Sequence, residues 1–274
     1  MSLADAILLG VLQGFAEWLP ISSEGLVTLV SKIVYGQSID RSLGLAVWLH
    51  VGTLLAACIY LRKDLYSAAL GLLKEGPGRR LLVFTSTATT ATALTAVPLL
   101  LSLRNLSIPD SLFTLAVGFL IIVVSLAPRR KRLNHNGSDL NYTAAVTVGL
   151  VQGVSIIPGV SRSGVTITAL LILGFSLKNA LKLSYMLSIP AVAGAQVSLP
   201  LFLGVREISL EMVAGAAAAM ATGLATIKFM LDLSVKYDVG KLAFYLGILL
   251  VIAGFLLYVE DFTLEDKGRR FFYV

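Results

Sequence analysis

The chain has 274 residues, of which 57% are apolar and only 14% charged, with a net charge of +6. A soluble domain carries about 25% charged residues, so a mean hydropathy of +0.86 would leave large apolar patches in water and makes lipid the solvent for most of the chain. The basic residues are scattered through short hydrophilic gaps without aromatic interleaving, which excludes nucleic acid as a partner, and a single cysteine, Cys58, excludes an internal disulfide and a cysteine-based zinc site.

The first apolar stretch, residues 3–30, is broken by Gln13, Glu17, Pro20, Ser22, Ser23 and Glu24. It has no basic segment before it, so no cleavable leader is expected. A helix needs about 20 apolar residues to cross the hydrocarbon. Six stretches meet or approach that length: 43–61, 81–103, 111–127, 180–203, 211–231 and 241–258. Residues 142–175 form a second broken segment, interrupted by Gln152, Pro158, Gly159, Ser161, Arg162 and Ser163. Broken backbone at membrane depth is tolerated only inside protein or beside a watery cavity. Both broken segments are therefore predicted to be re-entrant helical hairpins.

The two hairpins resemble each other. Residues 10–25 align without a gap on 149–164, with identities at Gly10/Gly149, Gln13/Gln152, Gly14/Gly153, Ser22/Ser161 and Gly25/Gly164. Three spans follow each hairpin, and an odd number of crossings inverts the second copy. The expected fold is an all-α integral membrane protein with six transmembrane helices plus two re-entrant hairpins in an inverted-topology repeat. Its halves are 1–128 and 142–260, within a single membrane domain. Such folds place their site near mid-membrane, where the broken helices meet. Arg62, Lys63, Lys74, Arg79 and Arg80 follow the first span, and Arg129, Arg130, Lys131 and Arg132 the third. By the positive-inside rule these gaps are cytoplasmic, and the first hairpin opens outside.

Gln13 and Glu17 are four apart and share a helix face. An ionisable residue at membrane depth is functional by default, and Glu17 and Glu24 stand here beside Ser22 and Ser23. The alternative is that Glu17 pairs with Arg162 merely to close the fold. In the second hairpin, Gly159 and Gly164 flank Ser161, Arg162 and Ser163, so backbone N–H groups can approach a ligand closely. A helix starting there would favour an anion, and the planar guanidinium of Arg162 suits phosphate oxygens. His50, near Trp48 and Gly52, reads as a hydrogen-bonded packing residue rather than a base. His135 reads as a solvated loop residue.

On Glu17-Trp18-Leu19-Pro20-Ile21-Ser22-Ser23 with Gly25, and on Pro158-Gly159-Val160-Ser161-Arg162-Ser163-Gly164, the sequence resembles the undecaprenyl-diphosphate phosphatases, the bacitracin-resistance proteins. The resemblance covers essentially the whole chain, and the second motif matches the family's PGxSRSG pattern in full. It implies a multi-pass cell-membrane enzyme that removes the terminal phosphate from a C55 polyprenyl diphosphate on the extracytoplasmic side, with a divalent metal, Mg²⁺ or Ca²⁺. Carried over by position, Glu17, Ser23 and Arg162 are the catalytic group. Gln13, Ser22, Gly159, Ser161, Arg162, Ser163 and Gly164 bind substrate, and Glu17 holds the metal, joined in this chain by Glu24, which supplies the carboxylate that Gln13 withholds. The attacking oxygen is that of Ser23 or of a water. Three positions depart from the family: Gln13 replaces a glutamate, Glu24 a frequent threonine, and Leu26 a histidine that many bacterial members carry. The partners implied are the polyprenyl diphosphate and membrane lipids, and a homodimer is compatible with the sequence. A transporter or flippase that binds the headgroup without cleaving it is the competing expectation, since inverted repeats with broken helices are transporter architecture.

Overall fold

The computed structural model describes residues 1–37, 39–102, 140–157, 160–203 and 209–236, with scattered positions between 112 and 123 and between 241 and 259. Among the described residues there is helix and no strand. Helix α1 (Leu3–Ala16) starts at Ser2, whose hydroxyl accepts from Asp5 N–H while the Asp5 carboxylate accepts from Ser2 N–H. This reciprocal cap satisfies two donors that the first turn leaves open. Helix α2 (Ser23–Tyr35) is capped by Ser22 and stops at Gly36, whose φ of +63° suits glycine. Then come α3 (Ile39–Tyr60), α4 (Arg62–Leu70) and α5 (Pro77–Ser102). The second half begins with α6 (Tyr142–Gly153), capped by Asn141 and extended by a 3₁₀ turn, Val154–Ile156. Helix α7 (Arg162–Ile172) is capped by Ser161, and α8 (Leu177–Leu203) and α9 (Leu210–Lys236) follow.

Among the described residues, three helices are long and apolar enough to cross a membrane, over Arg41–Tyr60, Pro77–Ser102 and Leu210–Lys236. They coincide with expected spans at 43–61, 81–103 and 211–231, and α8 covers the one at 180–203. The expected spans at 111–127 and 241–258 lie outside the described residues apart from scattered helical positions, as do the basic run 129–132 and His135. The gap after the first span is not simply a loop. It folds as α4, because Ala68 is buried and Leu65 packs on the core beside α5. Helices α1, α2, α6 and α7 have 14, 13, 12 and 11 residues. At 1.5 Å per residue the longest reaches about 21 Å, short of a hydrocarbon core of about 30 Å. These four are half-length elements.

Glycines set how they pack. A Cβ added at Gly10 would strike the Gly215 backbone of α9, and one at Gly14 the Ala219 carbonyl and Thr222. Likewise a Cβ at Gly149 would strike the Ala88 backbone of α5, and one at Gly153 would crowd Thr95 and the Thr92 carbonyl. Residue numbers rise together in both pairs, so α1 runs parallel to α9 and α6 parallel to α5. The first arm of each broken segment thus lies on a long helix from the other half of the chain. Trp48 Nε1 donates to Met212 O at 2.9 Å, placing the start of α9 beside the first half of α3. At the other end of α3, Lys182 of α8 meets Asp64 of α4 at 2.7 Å.

Gly10→Ala is therefore expected to lower the melting temperature in detergent, with an overpacking cost of about 1–3 kcal/mol. Gly194→Ala in α8, where an added Cβ meets no atom within 4 Å, is expected to melt with the wild type. Equal melting of Gly10→Ala and wild type would refute the close approach of α1 to α9.

Candidate functional site

Helix α1 ends at Ala16, and the chain turns through Glu17, Trp18, Leu19 and Pro20 before Ser22 starts α2. The start of α7 lies against this turn. Ser163 Oγ donates to Leu19 O at 2.6 Å, and a Cβ at Gly164 would sit 3.3 Å from Pro20 O. Tyr185 of α8 donates its hydroxyl to Trp18 O at 3.1 Å, with the two rings edge-to-face at 5.0 Å. Trp18 and Tyr185 are among the largest fully buried side chains of the main core. The turn is locked in place by packing as well as by hydrogen bonds.

Glu17 is the centre of what this turn displays. Its side chain is 6% exposed, and both carboxylate oxygens are engaged. Oε1 accepts from Arg162 Nη2 at 2.9 Å. Oε2 accepts from Ser23 Oγ at 2.6 Å and from Gln13 Nε2 at 3.1 Å, and lies 3.2 Å from His50 Nε2. A buried carboxylate is tolerable only when paired and hydrogen-bonded, and four elements contribute here: α1, α2, α3 and α7. Arg162 also donates from Nη1 to Ser184 O at 3.1 Å. Two of its five guanidinium N–H groups are thereby used, and three remain among the described residues. His50 lies midway along α3 and its Nδ1 is 2.7 Å from Ala46 O.

The expected site residues separate into two kinds. Gln13, Glu17, Ser23 and Arg162 come together around one carboxylate. Ser22 and Ser161 cap α2 and α7, accepting from Gly25 N–H at 3.2 Å and Gly164 N–H at 3.1 Å. Ser163 is tied to Leu19 O and lies 3.2 Å from the Ser161 hydroxyl. The side chains of Ser22, Ser161 and Ser163, and the N–H of Gly164, are therefore engaged within the fold. What they leave open are the first N–H groups of each helix, those of Ser23, Glu24, Arg162 and Ser163, which no turn of helix can satisfy. The starts of α2 and α7 both adjoin the Glu17–Pro20 turn, with the Arg162 guanidinium on Glu17, and helix N-termini and a guanidinium attract an anion. Pro158 and Gly159 lie outside the described residues. The Glu17–Arg162 pair expected as a closure of the fold is present, but it is one part of a larger cluster.

His50 joins that cluster although it reads as packing in the sequence. Its separation of 33 positions from Glu17 hides the contact, and the available signal was only an imidazole in the middle of an apolar span. Oxygens suited to a hard cation remain at two places. With Nε2 turned to Glu17, Gln13 presents a buried Oε1 that has no hydrogen-bond donor. Glu24, half-buried in the first turn of α2, is near enough to interact with Glu17 and His50. Among the described residues no group of three or more His, Cys, Asp or Glu side chains is arranged as a metal cage.

Residues 6–262 match the family described as bacitracin resistance protein BacA. The chain belongs to the BacA family. It is 36% identical to an undecaprenyl-diphosphatase of Methanococcoides burtonii over 265 residues, 93% of this chain and 100% of that protein. The undecaprenyl-diphosphatases of Methanopyrus kandleri and Haloarcula marismortui are 34% and 35% identical, over 90% and 92% of this chain and 94% and 97% of their own lengths. In this BacA-family chain, the two motifs that carried the resemblance are the two segments that meet at Glu17.

Proposed function

We propose that the chain is an undecaprenyl-diphosphatase, hydrolysing the terminal phosphoanhydride of the lipid diphosphate to the monophosphate and inorganic phosphate. The observation that carries this reading is the hydrogen bond from Ser23 Oγ to Glu17 Oε2 at 2.6 Å. It is a nucleophile on a base, set beside Arg162 and two helix N-termini. The names of the relatives favour hydrolysis over headgroup transport.

The terminal phosphate sits against the open N–H groups of α2 and α7 and the unused N–H groups of Arg162. Ser23 Oγ attacks its phosphorus while Glu17 takes the serine proton. The Oγ–P bond forms, and the anhydride P–O bond breaks with its electron pair leaving on the inner phosphate. Water then attacks the phosphoserine phosphorus, the Oγ–P bond breaks as Glu17 returns its proton to Ser23 Oγ, and inorganic phosphate leaves carrying both water hydrogens. Positioning and charge stabilisation supply most of the catalysis in such transfers. Gln13 Oε1 and the Glu24 carboxylate would hold a divalent cation, which would supply neutralisation of the diphosphate charge.

Phosphate release by purified protein in detergent, with and without EDTA, tests the reading. Release is expected, with loss in EDTA and recovery on adding Mg²⁺ or Ca²⁺. Ser23→Ala is expected to fall at least about 100-fold, since removal of a nucleophile leaves only binding and charge stabilisation. No release by wild-type protein would overturn the activity, and Ser23→Ala within tenfold of wild type would make water the attacking oxygen.

The reading includes the full membrane layout: six crossings, two re-entrant hairpins in an inverted repeat, and a cell-membrane location with the site opening outside. Its support is the parallel pairing of α1 with α9 and of α6 with α5, and the half-length of α1, α2, α6 and α7. In a Cys58→Ala background, an impermeant thiol reagent on intact cells should label Ser209→Cys and spare Lys74→Cys. Labelling of position 74 would reverse the orientation.

A further inference from the structure

We propose that His50 is the positioning residue that keeps Glu17 Oε2 on Ser23. This deepens the reading above and rests on it. The Nδ1 atom of His50 is 2.7 Å from the carbonyl of Ala46, one turn earlier on α3. A carbonyl only accepts, so Nδ1 carries hydrogen and the ring is fixed in orientation. Nε2 then faces Glu17 Oε2 at 3.2 Å, a contact that also needs a proton between the two atoms. The ring is therefore pinned to a buried stretch of α3 at one end and donates to the carboxylate at the other.

Competition for the carboxylate is what makes this contact matter. Glu17 lies in a turn, and Arg162 holds only its Oε1. A guanidinium facing a carboxylate favours the two-pronged arrangement in which it takes both oxygens. His50 on α3, together with Gln13 on α1, holds Oε2 against that swing, so that Oε1 stays with Arg162 and Oε2 with Ser23. Without the imidazole, Oε2 can swing to Arg162 and leave Ser23 without its base. His50 makes its hydrogen bonds to Ala46 O and Glu17 and none to Ser23 or to the N–H groups that start α2 and α7, so its effect falls on turnover and not on affinity.

His50→Leu is expected to lower kcat about 10- to 100-fold, the range for a charge-assisted hydrogen bond or a small misplacement of a reacting group. KM should stay within about twofold and the melting temperature in detergent should stay near wild type. His50→Gln, whose amide N–H can reach the same oxygen, should keep at least about a third of wild-type kcat. A His50→Leu kcat within threefold of wild type, or equal impairment of Leu and Gln variants, would overturn the proposal.

A second readout separates this inference from the activity itself. The chain has only two histidines, His50 and His135, so ¹⁵N-histidine spectra of the His135→Ala protein report His50 alone. Both ring nitrogens are expected to carry hydrogen, and the Nε2 signal should move in Glu17→Gln. A signal insensitive to Glu17→Gln would refute the contact even if phosphate release is normal. If the wild type releases no phosphate but the signal moves, the contact stands and the hydrolysis reading fails, and with it the role assigned to His50.

Discussion

Arg162→Ala is expected to reduce phosphate release at least about 100-fold. Each charge-assisted hydrogen bond to the phosphate contributes about 1.5–3 kcal/mol, and about 1.4 kcal/mol is a factor of ten in rate. Two lost contacts therefore suffice. The same substitution also strips Glu17 Oε1 of its partner, and breaking a buried pair from one side costs about 3–5 kcal/mol. His50 remains on Oε2 to offset part of that. Stability and catalysis can be separated with the double variant Arg162→Ala/Glu17→Gln, which removes the stranded charge. Its melting temperature should recover toward wild type while its activity stays lost. Arg162→Lys should fall between, keeping the charge but losing the fork that reaches Glu17 and Ser184 O together. Normal turnover by the folded fraction of Arg162→Ala would make the guanidinium structural only.

The parts of this site that were legible in the sequence are those with a local cause. The helix start expected at the Ser161 turn forms, with Ser161 as its cap, and Ser22 caps α2 in the same way. Glu17 and Arg162 stand out because charge at membrane depth is costly. Gly10, Gly14, Gly149 and Gly153 show up as repeat identities, and their purpose is close packing: each meets a helix from the other half of the chain. Sequence order could not show that exchange, since each glycine pair contacts residues about 60 or 200 positions away. A shorter separation of 33 positions is still enough to conceal His50, whose contact with Glu17 is set by how α3 packs beside the first turn. Ser163, expected to bind phosphate, also donates its hydroxyl to Leu19 O, a tie between the two hairpins that sequence order does not show. The open backbone N–H groups at the starts of α2 and α7 carry no residue signature.

Glu17→Gln is expected to lower kcat by about 10²–10⁴, the range for loss of a general base. The amide has nearly the shape of the carboxylate, so Trp18, Leu19 and Pro20 should keep their packing. What changes is the acceptor capacity. Glu17 now receives from Arg162 and Ser23 and faces Gln13 and His50 as well. A glutamine offers one acceptor oxygen and must turn an N–H toward one of these donors. Arg162 and Ser23 cannot then both be satisfied, and Ser23 loses the group that takes its proton. Binding should be spared, because removal of a negative charge beside an anionic diphosphate cannot weaken its attraction; the Kd for a non-hydrolysable diphosphate lipid is expected to stay level or fall. Glu17→Asp should not rescue turnover, since the carboxylate retreats by one methylene from a Ser23 contact that is only 2.6 Å long. Initial rates of phosphate release and equilibrium binding on the same preparations check both halves. A Glu17→Gln kcat within tenfold of wild type would take the carboxylate out of the chemistry and leave it as a counter-ion that holds Arg162 and His50 in place.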